Sequence, residues 1–313
     1  MFPSSSESLP TLAVRQMHYR GLTFSGTVHG TNYQYQSLVG IDNPPIVSGD
    51  VQRALDQGEQ AGLDVYQGRD ITLQQAIVAK RGQSSAAADL ELEEASQAMG
   101  AVMAVAGDTE YPLYIQRPSG LYACMARPRK HNFTEDINMV LAKGGVATSL
   151  WHATDPRWYS CPTQLESVGL PEPSGTEGLK FPLEFPLSFG GGSAGGILEC
   201  NNAGSFEMRP ILTFTGPCKN PVVQSLLIPG EPSLGFNITL EPGDTLVLGT
   251  DYQTVIYTPN GSPFGAPARK TAMKTNTWFN FPPGMNKLLF TTSDSVAVAG
   301  TLTAEWASAR PSL

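Results

Sequence analysis

Residues 236–248 read FNITLEPGDTLVL, and the run TVIY follows at 254–257. These runs are short and rich in aliphatic and β-branched side chains, and a turn separates each from the next. Gly243 lies in the first turn, where glycine supplies a positive φ without steric cost. The stretch therefore predicts consecutive antiparallel strands.

The same pattern continues through the rest of the C-terminal half. About seven or eight short strands, with turns between them, are typical of a β-sandwich or jelly roll. The further predicted strands are ILEC (197–200), PILTFT (210–215), KLLFT (287–291) and VAVAGTLTAEW (296–306).

The N-terminal half combines strands with a single predicted helix at about 90–106. Apolar side chains recur there at helical spacing, for example at Leu92 and Met99. Two strand-like runs at 22–30 and 33–41 lie on either side of a short polar break and predict a hairpin. Further strands are predicted at 69–78, 111–116, 121–126 and 146–151.

The chain is predicted to divide into two domains. Its length of 313 residues suits about two domains. A polar stretch with three prolines, from Pro162 to Gly178, reads as a linker. The predicted division is residues 1–161 for the first domain, 162–190 for the linker and a first strand, and 191–313 for the second domain.

Composition excludes several functions. The net charge is −8, whereas a protein that binds nucleic acid through phosphate contacts needs a basic face. No apolar run approaches the length of about 20 residues that a membrane-spanning helix needs. We therefore expect neither sequence-specific nucleic-acid binding nor membrane insertion.

The sequence contains no recognisable catalytic or metal-binding motif. No pair of its four cysteines has C-x-x-C spacing, and its four histidines are scattered, so we expect buried free thiols, no metal and no cofactor. Carboxylate pairs such as Glu135 with Asp136, or Glu241 with Asp244, leave a β-sandwich hydrolase as a disfavoured alternative. The sequence predicts no catalytic residue.

Two neighbouring segments stand out as candidate contact surfaces. ARPRK (126–130) is a local basic cluster in an acidic chain, and WHATDPRWYS (151–160) combines charges with large aromatic side chains. Arginine and aromatic residues are enriched at protein interfaces. The alternative is a solvated turn beside core aromatics. The candidate interface residues are Arg127, Arg129, Asp155, Arg157, Trp158 and Tyr159.

These segments, together with three C-terminal motifs, resemble the distal tail proteins of long-tailed, non-contractile bacteriophages, and most closely those of phages that infect actinobacteria. The resemblance spans about residues 20–310. One mild departure is Phe281, where the family usually has leucine. Two matching elements lie in the segments above: R-P-R at 127–129 and A-T-D-P-R-x-Y at 153–159. The other matching positions are Asn202, Gly204 and Pro210, then Gly243 and Asp244 with Leu246, then Trp278, Pro283, Gly284 and Asn286.

The resemblance implies a mainly β fold. The N-terminal part would be a β-sandwich or split barrel with one α-helix, and the C-terminal part a galectin-like, carbohydrate-module-like jelly roll. It also implies a structural protein of the virion, made in the host cytoplasm and placed at the distal end of the tail. Six copies would form a ring around the DNA channel that joins the tail tube protein to the tail tip hub.

A second function of a different class is a carbohydrate-binding module that contacts host cell-wall glycans. It would use exposed aromatic rings of the C-terminal half, such as Trp278, Tyr252 or Tyr257. Exposure of these rings separates the two hypotheses. We expect Trp278 to lie in the core, because it precedes a P-G-x-N turn that leads into an apolar strand.

Overall fold

A computed structural model describes residues 2, 8–25, 31–80, 84–105, 107–134, 141, 143–170, 196–293 and 299–313. The chain divides into two compact units, Met1–Pro162 with Ala309–Leu313, and Thr163–Ser308. We call them the first and the second unit.

Among the described residues, the first unit contains one long helix and a large sheet. Its helix is α1 (Ser85–Val102). Its strands are β1 (Gln16–Tyr19), β2 (Leu22–Ser25), β3 (Tyr33–Val39), β4 (Ile46–Val47), β5 (Val51–Gln52), β6 (Glu59–Gln60), β7 (Val65–Tyr66), β8 (Arg69–Val78), β9 (Tyr111–Arg117), β10 (Gly120–Thr134), β11 (Gly144–Ala153), β12 (Trp158–Cys161) and, near the C-terminus, β26 (Ala309–Arg310).

Seven strands of the first unit close into a barrel in the order β11-β8-β3-β2-β1-β9-β10. The circle is completed because β10 also pairs with β11, from Arg127↔His152 to Thr134↔Val146. Closure leaves the seven strands no open edge. Outside the circle, β12 pairs with the first part of β10, and β26 pairs with β12.

The predicted hairpin of residues 22–30 with 33–41 is wrong. The two strands share only a single parallel pair, Ser25↔Gln34. Instead β2 forms a hairpin with β1, because Arg20 and Gly21 both have positive φ, the backbone that a two-residue hairpin turn requires. Residues 26–30 lie outside the described part of the chain.

The barrel core follows from strict alternation along β8. Every second residue, from Arg69 through Ile71, Leu73 and Gln75 to Ile77, is buried. Trp151 packs against the rings of Tyr19 and Phe24, at centroid distances of 5.6 and 6.2 Å. This aromatic cluster fills the interior, so the barrel has a packed core.

Helix α1 confirms the predicted helix, although both ends differ: it spans Ser85–Val102, whereas about 90–106 was expected. It begins at Ser85 because the side chain of Ser84 accepts a hydrogen bond from the Ala87 amide, as an N-cap does. It contributes Leu92 and Met99, among others, to the core of the first unit.

The second unit consists of two antiparallel sheets and a short helix. The helix is α2 (Arg269–Ala272). The strands are β13 (Gln164–Gly169), β14 (Ile197–Asn202), β15 (Ile211–Thr215), β16 (Cys218–Lys219), β17 (Val222–Ser225), β18 (Ser233–Phe236), β19 (Thr239–Leu240), β20 (Thr245–Gly249), β21 (Thr254–Thr258), β22 (Ala266–Pro267), β23 (Met273–Asn276), β24 (Gly284–Thr291) and β25 (Thr301–Trp306). One sheet has the order β13-β25-β15-β20-β21-β22, the other β14-β24-β17-β18-β23, and β16 pairs with β19.

The two sheets pack face to face as a sandwich. Phe214 of β15 contacts Phe290 of β24 and Phe236 of β18, with ring centroids 5.4 and 5.9 Å apart. These contacts join one sheet to the other. The mainly β fold expected from the sequence, with a barrel followed by a sandwich, is confirmed.

The observed unit boundaries differ from the predicted domains. The stretch that reads as a linker contains β13, which pairs with β25 from Gln164↔Trp306 to Gly169↔Thr301. Because β13 is an edge strand and mostly exposed, it contains polar residues such as Gln164, Glu166 and Ser167, as a linker does. At the other end, residues 309–313 belong to the first unit. The expected strand at 181–189 lies outside the described residues.

Candidate functional site

Asp155 is the centre of a buried polar network. Its carboxylate accepts hydrogen bonds from the Arg157 guanidinium at 2.8 Å and from the Tyr159 hydroxyl at 2.6 Å. Burial alone would raise the pKa of Asp155, but the charge of Arg157 and the Tyr159 hydroxyl outweigh burial and hold this pKa below its usual value. The carboxylate is therefore ionised and paired inside the first unit.

This network corrects four of the predicted interface residues. Asp155, Arg157, Trp158 and Tyr159 are all buried within their own chain. Side chains that are already covered cannot serve as the anchors of a subunit contact. The A-T-D-P-R-x-Y element instead stabilises the fold where β11 continues into β12.

Arg69 is a buried residue that the sequence reasoning missed. Its guanidinium donates to the backbone carbonyls of Pro156 and Gly40, each at 2.8 Å, of Asp42 at 3.0 Å, and of Pro311. It also lies 5.2 Å from the ring centre of Trp158. Arg69 thus ties residues 40–42, the loop before β12 and the C-terminal residues together. Its position, in phase with Ile71 and Leu73 on one strand face, is the signal that could have identified it.

Arg127, Arg129 and Lys130 of β10, which we call the basic segment, remain a candidate contact surface. Arg129 and Lys130 are exposed, and Arg127 is half-buried. No other window of four residues in the sequence contains three Lys or Arg side chains. Among the described residues none of the three forms an ion pair, and the Arg127 Nε is buried without a hydrogen-bond partner.

The basic segment continues into an outer face of the barrel, which we call the receptor face. Pairing across four strands aligns Lys130 with Leu150, Leu150 with Thr72, and Thr72 with Val39. Residues paired in this way lie side by side on one face of a sheet. Val39 is 62% exposed, and Leu150 is half-buried. The receptor face therefore combines cations with uncovered apolar surface.

A projecting hairpin, residues 45–65, is the second uncovered surface, and we call it the acidic arm. It consists of β4 paired with β7 and, beyond them, β5 paired with β6. Every residue from 45 to 65 is exposed. Its exposed large apolar side chains are Ile46, Val47, Val51, Leu55, Leu63 and Val65.

Two glycines let the strands of the acidic arm touch at its middle. A Cβ on Gly62 would lie 1.9 Å from the Gly49 carbonyl oxygen, and one on Gly49 would lie 2.7 Å from the Leu63 carbonyl oxygen. The Gly62 amide also donates to the Asp50 carboxylate at 2.8 Å. The arm thus has a defined backbone although it has no core of its own.

The sequence reasoning missed the acidic arm. By themselves, Asn43, Pro44 and Pro45 indicate only the end of a strand. The available signal was a run of isolated apolar residues, among them Val51, Leu55 and Leu63, without helical or strand period.

The structure brings together some of the C-terminal motif residues. Asn202 pairs with Gly284 across β14 and β24, and its buried side chain donates to the carbonyls of Phe206 and Phe281 at 2.8 and 3.1 Å. Asn286 donates to the Gly284 carbonyl at 3.0 Å. These asparagines replace missing backbone partners in turns, which is a structural role.

The remaining motif residues also hold turns. Asp244 accepts hydrogen bonds from the amides of Asn260 and Glu241, at 2.8 and 3.0 Å, and from the Tyr257 hydroxyl at 2.8 Å. Gly243 has φ +89°. Elsewhere in the unit, the Gly204 amide donates to Asn202, the Pro210 carbonyl accepts from Thr250, and Pro283 is exposed in the turn before β24.

Trp278 differs from the expectation that it lies in the core. It is half-buried, with the Arg269 guanidinium 5.6 Å from its ring centre, while Phe279 and Phe281 occupy the core beside it. Arg269 also donates to the Gln253 side chain at 3.0 Å, next to the exposed Tyr252.

Ionisable side chains show no sign of an active centre in the described part of the chain. Three of the four cysteines, Cys124, Cys200 and Cys218, are buried as expected, Cys161 is half-buried, and none of the four forms a disulfide. Burial raises the pKa of Cys200 to about 12, which leaves the thiol protonated. The described residues contain no group of His, Cys, Asp or Glu that could hold a metal ion. Within the same residues, no helix is long and apolar enough to cross a membrane.

No protein-family model and no curated protein matches the sequence. Among solved structures, the chain is similar to the Dit protein of phage SPP1, a paradigm of the hub adsorption apparatus in phages that infect Gram-positive bacteria. The two are 13% identical with a TM-score of 0.60, and the match covers 94% of this chain and 99% of that chain.

Two structures of the phage p2 baseplate in its activated conformation, with Ca and with Sr, are also similar. Each is 10% identical, with TM-scores of 0.48 and 0.49, and covers 94% of this chain and 98% of that chain. The likeness to SPP1 Dit extends over nearly the whole of both chains. The chain therefore has the Dit-like fold that the resemblance of its motifs implied.

Proposed function

We propose that the chain is a distal tail protein of a long-tailed, non-contractile bacteriophage. Copies of it, six according to the resemblance, form a ring that joins the tail tube protein to the tail tip hub and surrounds the DNA channel. The protein is made in the host cytoplasm, takes its place at the distal end of the virion tail and performs no reaction. A close relation to phages of actinobacteria stays a prediction.

The observation that carries this proposal is the full-length likeness to the SPP1 Dit fold. The acidic arm supports it independently, because a two-stranded hairpin without a core is marginally stable alone and gains stability against a partner. Contiguous exposed apolar side chains mark protein interaction sites. Two different uncovered surfaces on one chain suit the head-to-tail contacts of a closed ring.

The test is the assembly state of the purified full chain. Native mass spectrometry and negative-stain electron microscopy are expected to show closed rings with a central channel. Antibody labelling of virions is expected to mark the end of the tail away from the capsid. A chain that stays monomeric at high micromolar concentration, or labelling elsewhere on the particle, would contradict the proposal.

One observation favours glycan binding as a second candidate function. The exposed Tyr252, the Gln253–Arg269 hydrogen bond and the Arg269–Trp278 contact lie along one surface of the second unit. Aromatic faces beside planar polar groups suit sugar rings, which have apolar faces and hydroxyl edges. Binding of host cell-wall polysaccharide that is lost in Trp278→Ala, but not in Phe264→Ala, would support it.

A further inference from the structure

The acidic arm carries a charge that limits what it can bind. Residues 45–65 contain one Arg against four carboxylates, a net charge of 1 − 4 = −3. Arg53 is already 3.5 Å from Asp56. Glu59 and Asp64 form no ion pair within the described residues. A surface that covers this arm must therefore offer cations together with apolar side chains.

The receptor face, with its basic segment, has this combination. Arg129 and Lys130 are exposed cations, and the row that starts at Lys130 ends at the exposed Val39. Three other cations of the first unit already form ion pairs within the chain: Lys80 with Glu91, Lys143 with Asp89, and Arg157 with Asp155. Opposite charges on two uncovered apolar surfaces give electrostatic complementarity.

The two surfaces do not meet within one chain. Every residue of the acidic arm from 45 to 65 is exposed, so the arm is not docked on its own barrel. The base of the arm is held, because Arg69 binds the carbonyls of Gly40 and Asp42. A fixed base and an uncovered tip direct the arm outward, toward another molecule.

We propose that the acidic arm of one copy docks on the receptor face of the next copy, with Arg129 and Lys130 opposite the carboxylates of the arm. This inference rests on the proposed ring, and it names the contact that closes the ring. The contact is heterologous, since an arm meets a receptor face and never a second arm. Each copy then docks its arm on one neighbour and accepts the arm of the other neighbour.

Charge reversal tests the contact. One variant reverses the arm, Glu59→Lys with Asp64→Lys, and another reverses the basic segment, Arg129→Glu with Lys130→Glu. All four positions are exposed, so the fold is expected to survive, which circular dichroism checks. Each variant alone is expected to lose ring assembly by about tenfold or more, because like charges then face each other at every contact.

Mixing the two variants gives the decisive result. The basic arm of the arm-reversed variant is complementary to the acidic segment of the other variant. The unchanged acidic arm of that other variant is complementary to the unchanged basic segment of the first. An equimolar mixture is therefore expected to recover rings in which the two variants alternate, which native mass spectrometry detects by mass. A chain with all four changes is expected to assemble by itself. Lys270→Glu with Lys274→Glu, and Glu93→Lys with Glu94→Lys, are matched double controls at exposed sites and are expected to assemble normally.

The outcomes separate the two proposals. Wild-type chain that forms no rings contradicts the ring and the arm contact together. Wild-type rings with reversed variants that still assemble alone, or that fail to recover on mixing, overturn the arm contact and leave the ring intact.

Discussion

The guanidinium of Arg69 donates a hydrogen bond to the backbone carbonyl of Pro311, which lies 242 residues further along the chain. The same side chain binds the carbonyls of Gly40, Asp42 and Pro156. One buried cation therefore connects the base of the acidic arm, the loop before β12 and the C-terminal residues. Backbone carbonyls stabilise its charge in place of water.

Replacing Arg69 is expected to destabilise the first unit strongly. Arg69→Met leaves buried carbonyls without donors, and the free energy of unfolding should fall by about 3 kcal/mol or more. Denaturant titration measures the loss, and hydrogen–deuterium exchange should place it around residues 40–42 and 309–313. Arg53→Met, on the exposed arm, is the control and should change stability by about 0.5 kcal/mol or less. Equal effects of the two variants would show that Arg69 does not connect these segments.

Breaking the Asp155–Arg157 pair should lower stability in a pH-dependent way. Asp155→Asn leaves a buried guanidinium without its counter-charge, a loss of about 3–5 kcal/mol at neutral pH. Because the folded-state pKa of Asp155 is lowered, its stabilising contribution is present above the unfolded pKa of about 3.9 and is lost as pH falls through the folded pKa. The difference in unfolding free energy between wild type and Asp155→Asn should therefore be smaller below pH 4 than at pH 7. A difference that is the same at both pH values would assign the loss of stability to packing.

Two glycines with nearly the same backbone angle should respond differently to alanine. Gly40 and Gly21 have φ values of +92° and +88°. A Cβ on Gly40 would lie 1.9 Å from the Asp70 carbonyl oxygen, whereas one on Gly21 meets nothing within 4 Å. Gly21→Ala is expected to cost about 1–2 kcal/mol from backbone strain. Gly40→Ala should cost at least about 1 kcal/mol more, because backbone atoms of β8 must move. Denaturant unfolding of both variants compares them directly, and similar losses would contradict this crowding.

Removing a buried amide is expected to stabilise the barrel. The Gln75 side chain is fully buried, and neither of its polar atoms has a hydrogen-bond partner among the described residues. Gln75→Met keeps the length and removes the unpaired groups, so the free energy of unfolding should rise by about 1 kcal/mol. Gln74→Met, on the exposed face of the same strand, is the control and should have little effect. A loss of stability in Gln75→Met would reveal bonds that the amide makes.

Regular alternation made about half of the strands predictable. In β8, β15, β20 and β25 every second residue is buried and those between are half-buried or exposed, and burial of one face of a strand leaves this period of two in the sequence. The helix was predictable for the same reason. Its start was not, because Ser84 and the alanines that follow carry no apolar period.

The candidate interface was predictable only in part. The cationic run at Arg127, Arg129 and Lys130 was visible as composition, but the burial of Trp158 and Tyr159 was not. An arginine or a tyrosine occurs both at interfaces and in buried polar networks, and the residue that it contacts decides between the two. For Arg157 that partner is Asp155, two residues away, enclosed by a fold that the local sequence does not specify.

The sequence by itself determined that the chain forms antiparallel strands in two β-rich parts, because side-chain period and glycine turns act locally. Only the tertiary structure decided which strands are neighbours, that the C-terminal residues return to the first unit, and that the acidic arm stays uncovered. These outcomes depend on contacts between residues far apart in the chain, such as Arg69 with Pro311, and no local pattern encodes them.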